Sequence, residues 1–221
     1  MTSLRERLLH RLQWTWERSR RRMKTGVMQL WQRFFPLQLP RTPDGQVWIH
    51  LGCGDLDLPG FINVDARAAP HVHIVGDVGD LSRFAEETVD LVYGSHVLEH
   101  IAPRRVPGVL WEWRRVLKPG GILRLSVPDL ERIIELYTLS GGNAEIIQAP
   151  LFGQQDYPEN LHRAVYDRSR LAHLLLAAGF TTVRPWSPGD GPLPAIPDCS
   201  SLRISCAGGP VFISLNLEAV R

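Results

Sequence analysis

Five short runs rich in β-branched residues follow one another along this chain and constrain its fold more than any other feature. They are VWIHL (47–51), FINV (61–64), VHIV (72–75), DLVY (90–93) and GILRLSV (121–127). Between the last two lies VPGVLWEWRRVL, whose apolar residues Val106, Val109, Leu110, Trp113 and Leu117 recur at helical spacing. It closes on Lys118-Pro119-Gly120-Gly121, a helix stop followed by a tight turn. Strands that alternate with helices predict an α/β domain with a parallel, doubly wound sheet. Beyond it the pattern predicts a helix near 129–139, an insert punctuated by Gly and Pro at 140–166, and a helix near 168–178 stopped by Gly179. Strands near 181–186 and 211–219 complete the pattern, and no internal repeat interrupts it.

With 221 residues, 44% of them apolar, the chain has material for one well-buried domain. No apolar run reaches the roughly 18 residues of a transmembrane helix. The basic N-terminus lacks the uninterrupted apolar segment of a signal peptide. Cys53, Cys199 and Cys206 show no metal-ligand spacing and read as reduced thiols of a cytoplasmic protein, although Cys199 and Cys206 have the option of pairing in an oxidising compartment. Residues 1–41 hold ten Arg or Lys against Glu6 and Glu17, a net +8, which leaves −6 for the other 180 residues of a chain whose total is +2. The chain thus divides into a basic leader, 1–41, and a mildly acidic domain, 42–221, with Thr42-Pro43-Asp44-Gly45 marking the turn between them.

The leader reads as an amphipathic helix. Ser3 and Glu6 have capping-box spacing, and Leu4, Leu8, Leu9, Leu12 and Trp16 form one stripe. Such a helix suits peripheral contact, through residues 1–35, with an anionic membrane at the inner face or with a protein partner. Covering its own active site or lying free as a solvated tail are equal alternatives. No nucleic-acid partner is expected, because the domain is acidic and no stacking motif accompanies the arginines.

The most chemical stretch is WIHLGCGDLDLPGFINVDAR, residues 48–67. Gly52 and Gly54 after a buried strand let backbone approach a ligand closely, and an acidic residue ending the second strand is placed for ribose hydroxyls. A dinucleotide fingerprint needs a third glycine and an acidic residue about 20 positions on. Here Asp55 follows Gly54, Asp65 comes only 13 positions after Gly52, and Pro59-Gly60 interrupts the interval. A crossover helix with a pyrophosphate site hardly fits. That argues against a nicotinamide oxidoreductase and for a cofactor without phosphates.

HLGCG, NVD, GDVGDL, VDLVYGSHVLEHI and LKPGGILRLSVPDL, in this order over roughly residues 47–130, resemble the class I S-adenosylmethionine-dependent methyltransferases, and among them the small bacterial branch with the type 11 methyltransferase domain. The resemblance implies a mostly parallel seven-stranded Rossmann-like sheet with helices on both faces, and S-adenosyl-L-methionine as cofactor. It places Gly52, Cys53 and Gly54 under the methionine part. Asp65 takes the ribose hydroxyls, Ala66 edges the adenine, Asp77 takes the adenine amino group with Val78 beside the ring, and Gly94, Ser95 and His96 face the methyl. Asp80 is the rival of Asp77, which is preferred because Leu81 then falls at the family's spacing. More loosely, ENLHRAVYD, AAGF and ISLNLEA resemble methyltransferases associated with bacterial cell-surface polysaccharides.

The implied activity is methyl transfer to a small or glycan acceptor, with oxygen the expected acceptor atom. A hydroxyl acceptor needs a base, and His96, His100 and His162 are the candidates. Asn160, His162 and Tyr166 form a prospective substrate wall, or His162 simply bridges the insert to the sheet. Glu99 and His100 either orient the loop after the fourth strand or touch substrate. Asp129 is a helix N-cap or a substrate ligand, and Asp90 only starts a strand. Spacing reveals no metal ligand set and no nucleophilic triad. The alternative of another class is a catalytically silent, cofactor-binding scaffold recruited through the basic leader.

Overall fold

The computed structural model describes residues 23, 25–28, 30 and 37–221 apart from 158, 192 and 194. The leader stripe and its partner contact therefore lie outside the described residues. In chain order the strands are β1 (Trp48–Leu51), β2 (Phe61–Asp65), β3 (Ile74–Val75), β4 (Val89–Ser95), β5 (Leu117–Pro128), β6 (Thr182–Pro185), β7 (Arg203–Cys206), β8 (Gly209–Phe212) and β9 (Ser214–Val220). The helices are α1 (Val106–Val116), α2 (Leu130–Leu139), α3 (Gln148–Phe152) and α4 (Arg168–Ala177).

Seven strands make one sheet in the order β3-β2-β1-β4-β5-β9-β6. Pairing is parallel from β3 through β5, and β9 runs antiparallel to both β5 and β6. Strand order reverses between β1 and β4, the switch point outside whose carboxyl ends open α/β sheets bind ligands. β7 and β8 form a separate hairpin that the sequence reading did not anticipate. The single strand expected over 211–219 breaks at Ile213, whose N–H leaves the ladder to donate to the Leu202 carbonyl.

Helix α1 forms where the periodicity puts it. Val106, Val109, Leu110, Trp113 and Val116 are buried on one stripe, and the Trp113 indole donates to the Val78 carbonyl at 2.8 Å. The helix ends because Leu117 turns extended ahead of Pro119, which favours neither a helical predecessor nor a further helical hydrogen bond. Asp129 caps α2 by accepting from Glu131 N–H, which settles its role as an N-cap, and Asp167 caps α4 in the same way through Arg170 N–H.

Helices α1 and α4 contact each other and pack on the sheet face formed by Ile49, Leu51, Val64, Val92, Leu123 and Leu217. The opposite face carries Trp48, Phe61, Leu91 and Tyr93, and irregular chain bearing Trp186, Leu193 and Ile196 covers it. Helices on both faces were expected; on this second face a short 3₁₀ helix, Cys199–Ser201, packs against β5 and β9, and the first crossovers add no α-helix. The reason is length: 52–60 joins β1 to β2 and 66–73 joins β2 to β3, whereas a helical crossover takes a dozen or more residues. The helix-free first crossover foreseen from Pro59-Gly60 is thus present. Its polar groups are satisfied from β2 and the segment beyond: Asn63 Nδ2 donates to Asp57, and His71 Nε2 meets the Gly54 carbonyl at 2.9 Å.

That second face also buries charge. Arg124 Nε donates to Glu218 at 2.6 Å, Arg184 holds the other Glu218 oxygen, and the Arg124 guanidinium lies 5.2 Å from the Trp186 ring centre. Among the described residues no helix is long and apolar enough to cross a membrane.

Candidate active site

A cleft of about 610 Å³ opens at the carboxyl ends of β1, β2 and β4. Gly52, Gly54, Asp65, Ala66, Asp77, Val78 and His96 line it, as the motif reading expects. Its volume falls within the roughly 300–1,000 Å³ typical of small-molecule sites. Three sequence-predicted members lie elsewhere. Cys53 is buried against Val72 and Val75, and burial pushes its thiol up to about 12. Gly94 and Ser95 do not reach the cleft, because the alternation of β4 turns Ser95 to the same side as Leu91 and Tyr93.

The glycines answer to a neighbour as well as to a ligand. A Cβ on Gly52 would stand 2.7 Å from Val97 Cγ2, and one on Gly94 would stand 2.9 Å from Val97 Cγ1. Val97 is wedged between the ends of β1 and β4, and neither strand end has space for a methyl group. Gly52 also sits at φ +61, in the left-handed region that glycine enters freely. The backbone floor of the cleft is therefore bare.

Asp65 ends β2 and stiffens that floor. Its carboxylate accepts from Gly54 N–H at 2.9 Å and from Arg67 N–H at 2.8 Å. Asp77 accepts from Gly79 N–H at 2.8 Å and from Arg105 at 2.6 Å. Asp80, its rival in the sequence, caps Ser82 and is not among the cleft residues. Arg67, Ile101, Ala102, Arg105, Tyr157, Glu159 and Arg163 also line the cleft, and sequence reasoning missed them all. Arg67 had a local signal, two positions after Asp65. Tyr157 had none: it arrives from the insert, with Arg67 stacked 4.5 Å above its ring.

The histidines converge. His96 follows β4 with φ +53, a strained left-handed backbone held by its N–H donating to Ser126 at 2.9 Å. A short 3₁₀ turn, Leu98–His100, then carries Glu99 into the interior with no exposed surface. Its Oε1 lies 3.4 Å from His96 Nδ1 and 3.9 Å from His162 Nε2, and the His100 and His162 rings meet edge-on at 4.8 Å. The Glu99 carbonyl accepts from Arg163 and Ala164, which fastens the end of the insert to this turn. Burial sets the protonation states. It pushes the Glu99 carboxyl up to about 8 and His162 down to about 4, and it lowers His100. His96 falls to about 3, from burial first and the two neighbouring histidines second. At neutral pH the imidazoles are free bases.

The rest of the prospective substrate wall is corrected. Tyr166 is buried in the main core, its backbone bridged to Asp129, and it presents nothing to the cleft. Asn160 commits its amide to Asp156 at 2.6 Å and braces the loop. His162 does join the insert to the sheet, through Pro150 on one side and Glu99 on the other.

A parallel sheet with a phosphate-free cofactor turn, an acidic residue at the end of β2 and a cleft at the switch point defines the S-adenosylmethionine-dependent methyltransferase class. Residues 55–125 match the family model described as a methyltransferase domain, type 11. Those residues carry a methyltransferase domain, and S-adenosylmethionine-dependent methyl transfer is the activity that the domain supports. No curated protein matches it. Among solved structures, a SAM-dependent methyltransferase from Archaeoglobus fulgidus superposes with a TM-score of 0.50 at 15% identity, over 90% of this chain and 94% of that one. A possible histamine N-methyltransferase from Thermotoga maritima gives 0.48 at 15%, over 79% and 81%. The 1,6-didemethyltoxoflavin-N1-methyltransferase of Burkholderia thailandensis, solved with S-adenosylhomocysteine, gives 0.49 at 18%, over 79% and 70%. At these identities the likeness speaks to the fold, and the Archaeoglobus structure carries that comparison.

Proposed function

We propose that this methyltransferase methylates a hydroxyl of a small or glycan acceptor, in cell-surface polysaccharide metabolism. The observation that carries the reading is the adjacency of two features. The cleft floored by Gly52, Gly54 and Asp65 runs without interruption to His96 and His100, both uncharged at neutral pH. The residues fit the cofactor: a floor of left-handed glycines, Gly52 and Gly54, that bears no side chain, the carboxylate of Asp65 for a diol, and Asp77 with Val78 for the adenine edge.

When bound, S-adenosyl-L-methionine supplies a methyl group on a sulfonium whose departing thioether is neutral, so no acid is required. The chain's own work is to hold the acceptor in line, where positioning is worth ~7–11 kcal/mol, and to take the hydroxyl proton. His96 stands where β4 ends and lines the cleft, with Nε2 held by Ser214 and Nδ1, the nitrogen left to take a proton, facing Glu99. Peripheral attachment through residues 1–35 would bring lipid-linked sugars to the cleft.

The test is transfer of labelled methyl from S-adenosylmethionine into fractionated cell-envelope glycans and small-molecule extracts, with Asp65→Asn as the control. Base-stable label in a sugar fraction, absent with Asp65→Asn, is the expected result. Cofactor binding with no incorporation into any fraction would instead favour a silent scaffold, and label only on nitrogen would sink the hydroxyl reading.

A further inference from the structure

The cluster behind the cleft has an unusual proton inventory. Glu99 is fully buried, and neither carboxylate oxygen has a hydrogen-bond partner. His96 and His162 turn their N–H groups away from it. His162 Nδ1 faces the Pro150 carbonyl at 2.9 Å, and a carbonyl only accepts, so Nδ1 carries the hydrogen and Nε2 presents a lone pair to Glu99. His100 Nδ1 faces the Leu161 carbonyl at 3.3 Å. Ser214 gives its hydroxyl hydrogen to the Cys199 carbonyl and so accepts from His96 Nε2, which leaves His96 Nδ1 bare toward Glu99. Either a proton held on the Glu99 carboxyl or a metal cation between the side chains relieves this arrangement, and imidazoles that donate their outer N–H to carbonyls are oriented as metal ligands are.

We propose that Glu99, His100 and His162 bind one divalent transition-metal ion of the zinc type, with an open coordination position toward the cleft. Their ligand atoms all lie within 4.8 Å of one another. Bonds of roughly 2.0–2.1 Å ask the three side chains to close by about an ångström. Two imidazoles and one carboxylate leave a fourth position free, the pattern of catalytic rather than structural zinc, and His100 already lines the cleft. The catalytic use of the ion rests on the hydroxyl reading above. An acceptor oxygen at the open position loses its proton to His96 or water more readily. It then forms the C–O bond as the methyl's C–S bond breaks, and the electron pair of that bond leaves on sulfur. The element order explains why spacing alone missed the set: Glu99 and His100 are adjacent, but His162 comes from the far end of the insert.

The test uses the full chain purified without affinity tag or chelator. Mass spectrometry is expected to find about one equivalent of divalent transition metal, and calorimetry on stripped protein to show stoichiometric rebinding of Zn²⁺. Co²⁺ should give visible ligand-field bands that Zn²⁺ displaces. Glu99→Gln, which preserves size, and His162→Asn should each weaken Zn²⁺ by at least about 100-fold while S-adenosylhomocysteine binding persists. A wild-type chain that neither carries nor binds Zn²⁺ or Co²⁺ at micromolar concentration overturns the proposal. Metal binding untouched by both substitutions does the same, because it places the ion elsewhere. Stripped protein with full methyl transfer overturns the catalytic half alone, and metal content still judges the site.

Discussion

Replacing Gly52 by alanine should destabilise the fold by about 3 kcal/mol, in two parts that can be separated. At φ +61 the left-handed conformation costs a Cβ-bearing residue about 1–2 kcal/mol. The same Cβ would stand 2.7 Å from Val97 Cγ2 and 3.0 Å from Val97 Cβ. Val97 is buried and β-branched, so it yields poorly, and the overpacking adds about 1–3 kcal/mol. Val97→Ala alone deletes two buried methyl groups at about 1–3 kcal/mol, but it opens the space that a methyl group at position 52 needs. The double variant should therefore be more stable than the sum of the single effects by about the overpacking part, and the conformational part should remain. Urea unfolding of the four proteins at a common m-value measures this directly. Single-variant costs that add to within about 0.5 kcal/mol would refute the claim that Val97 is what excludes a side chain from this turn. A Gly52→Ala cost near zero would refute the left-handed turn itself.

Asp65→Ala strips acceptors from both Gly54 and Arg67 N–H and should cost about 2–3 kcal/mol, whereas Asp65→Asn keeps one acceptor and should cost about half that. Both should weaken S-adenosylhomocysteine by at least about tenfold in calorimetry, and unchanged affinity for Asp65→Asn would remove the ribose role. Arg124→Met leaves the buried Glu218 with Arg184 alone and should cost about 3 kcal/mol in urea; a neutral outcome would show that Arg184 suffices. His50 is held near 4 by burial, below the ordinary value near 6.5. The folded state thus binds fewer protons than the unfolded one between these values, and stability present above pH 6.5 is lost as pH falls toward 4. The loss from this residue between pH 7 and pH 5 is about 2 kcal/mol. His50→Phe should reduce the pH 7 to pH 5 drop in unfolding free energy by that amount, and an unchanged drop would clear His50.

The sheet was legible because its signals are local. Val106, Val109, Leu110 and Trp113 announce α1 by spacing alone, and Lys118-Pro119 announces its end. Gly52, Asp65 and Asp77 were legible for a related reason: each lies at or just past the carboxyl end of a parallel strand, β1, β2 and β3 in turn, so chain order predicts position in space. What escaped depends on long-range packing. Tyr166 sits in a polar-looking stretch and reads as a wall of the site, yet its bridge to Asp129 draws it into the core. Trp186 reads as the end of a strand, and Leu193 and Ile196 fall where the pattern assigns no element, but all three cover the sheet face that the shortened crossovers leave without an α-helix. Arg105 and Tyr157 reach the cleft from α1's approach and from the insert, and nothing in their neighbours marks them.

Glu99 joins these two lessons. HVLEH is conspicuous in the sequence, but its meaning depends on His162, which only the insert delivers. A buried carboxylate without a donor costs the fold several kcal/mol, and a leucine at that position would remove the cost while filling a site already surrounded by Leu98, Tyr166 and the main core. Packing alone therefore does not explain an acid there. Nor does general-base catalysis by His96, which needs no carboxylate so deeply enclosed and accepts its own orientation from Ser214 and Ser126. His96 and His162 turn lone pairs toward the carboxylate as well, and a proton on Glu99 or a cation between them is what relieves the contact. The insert that supplies His162 also supplies Tyr157 to the cleft wall, so one segment completes both the cofactor pocket and the cluster.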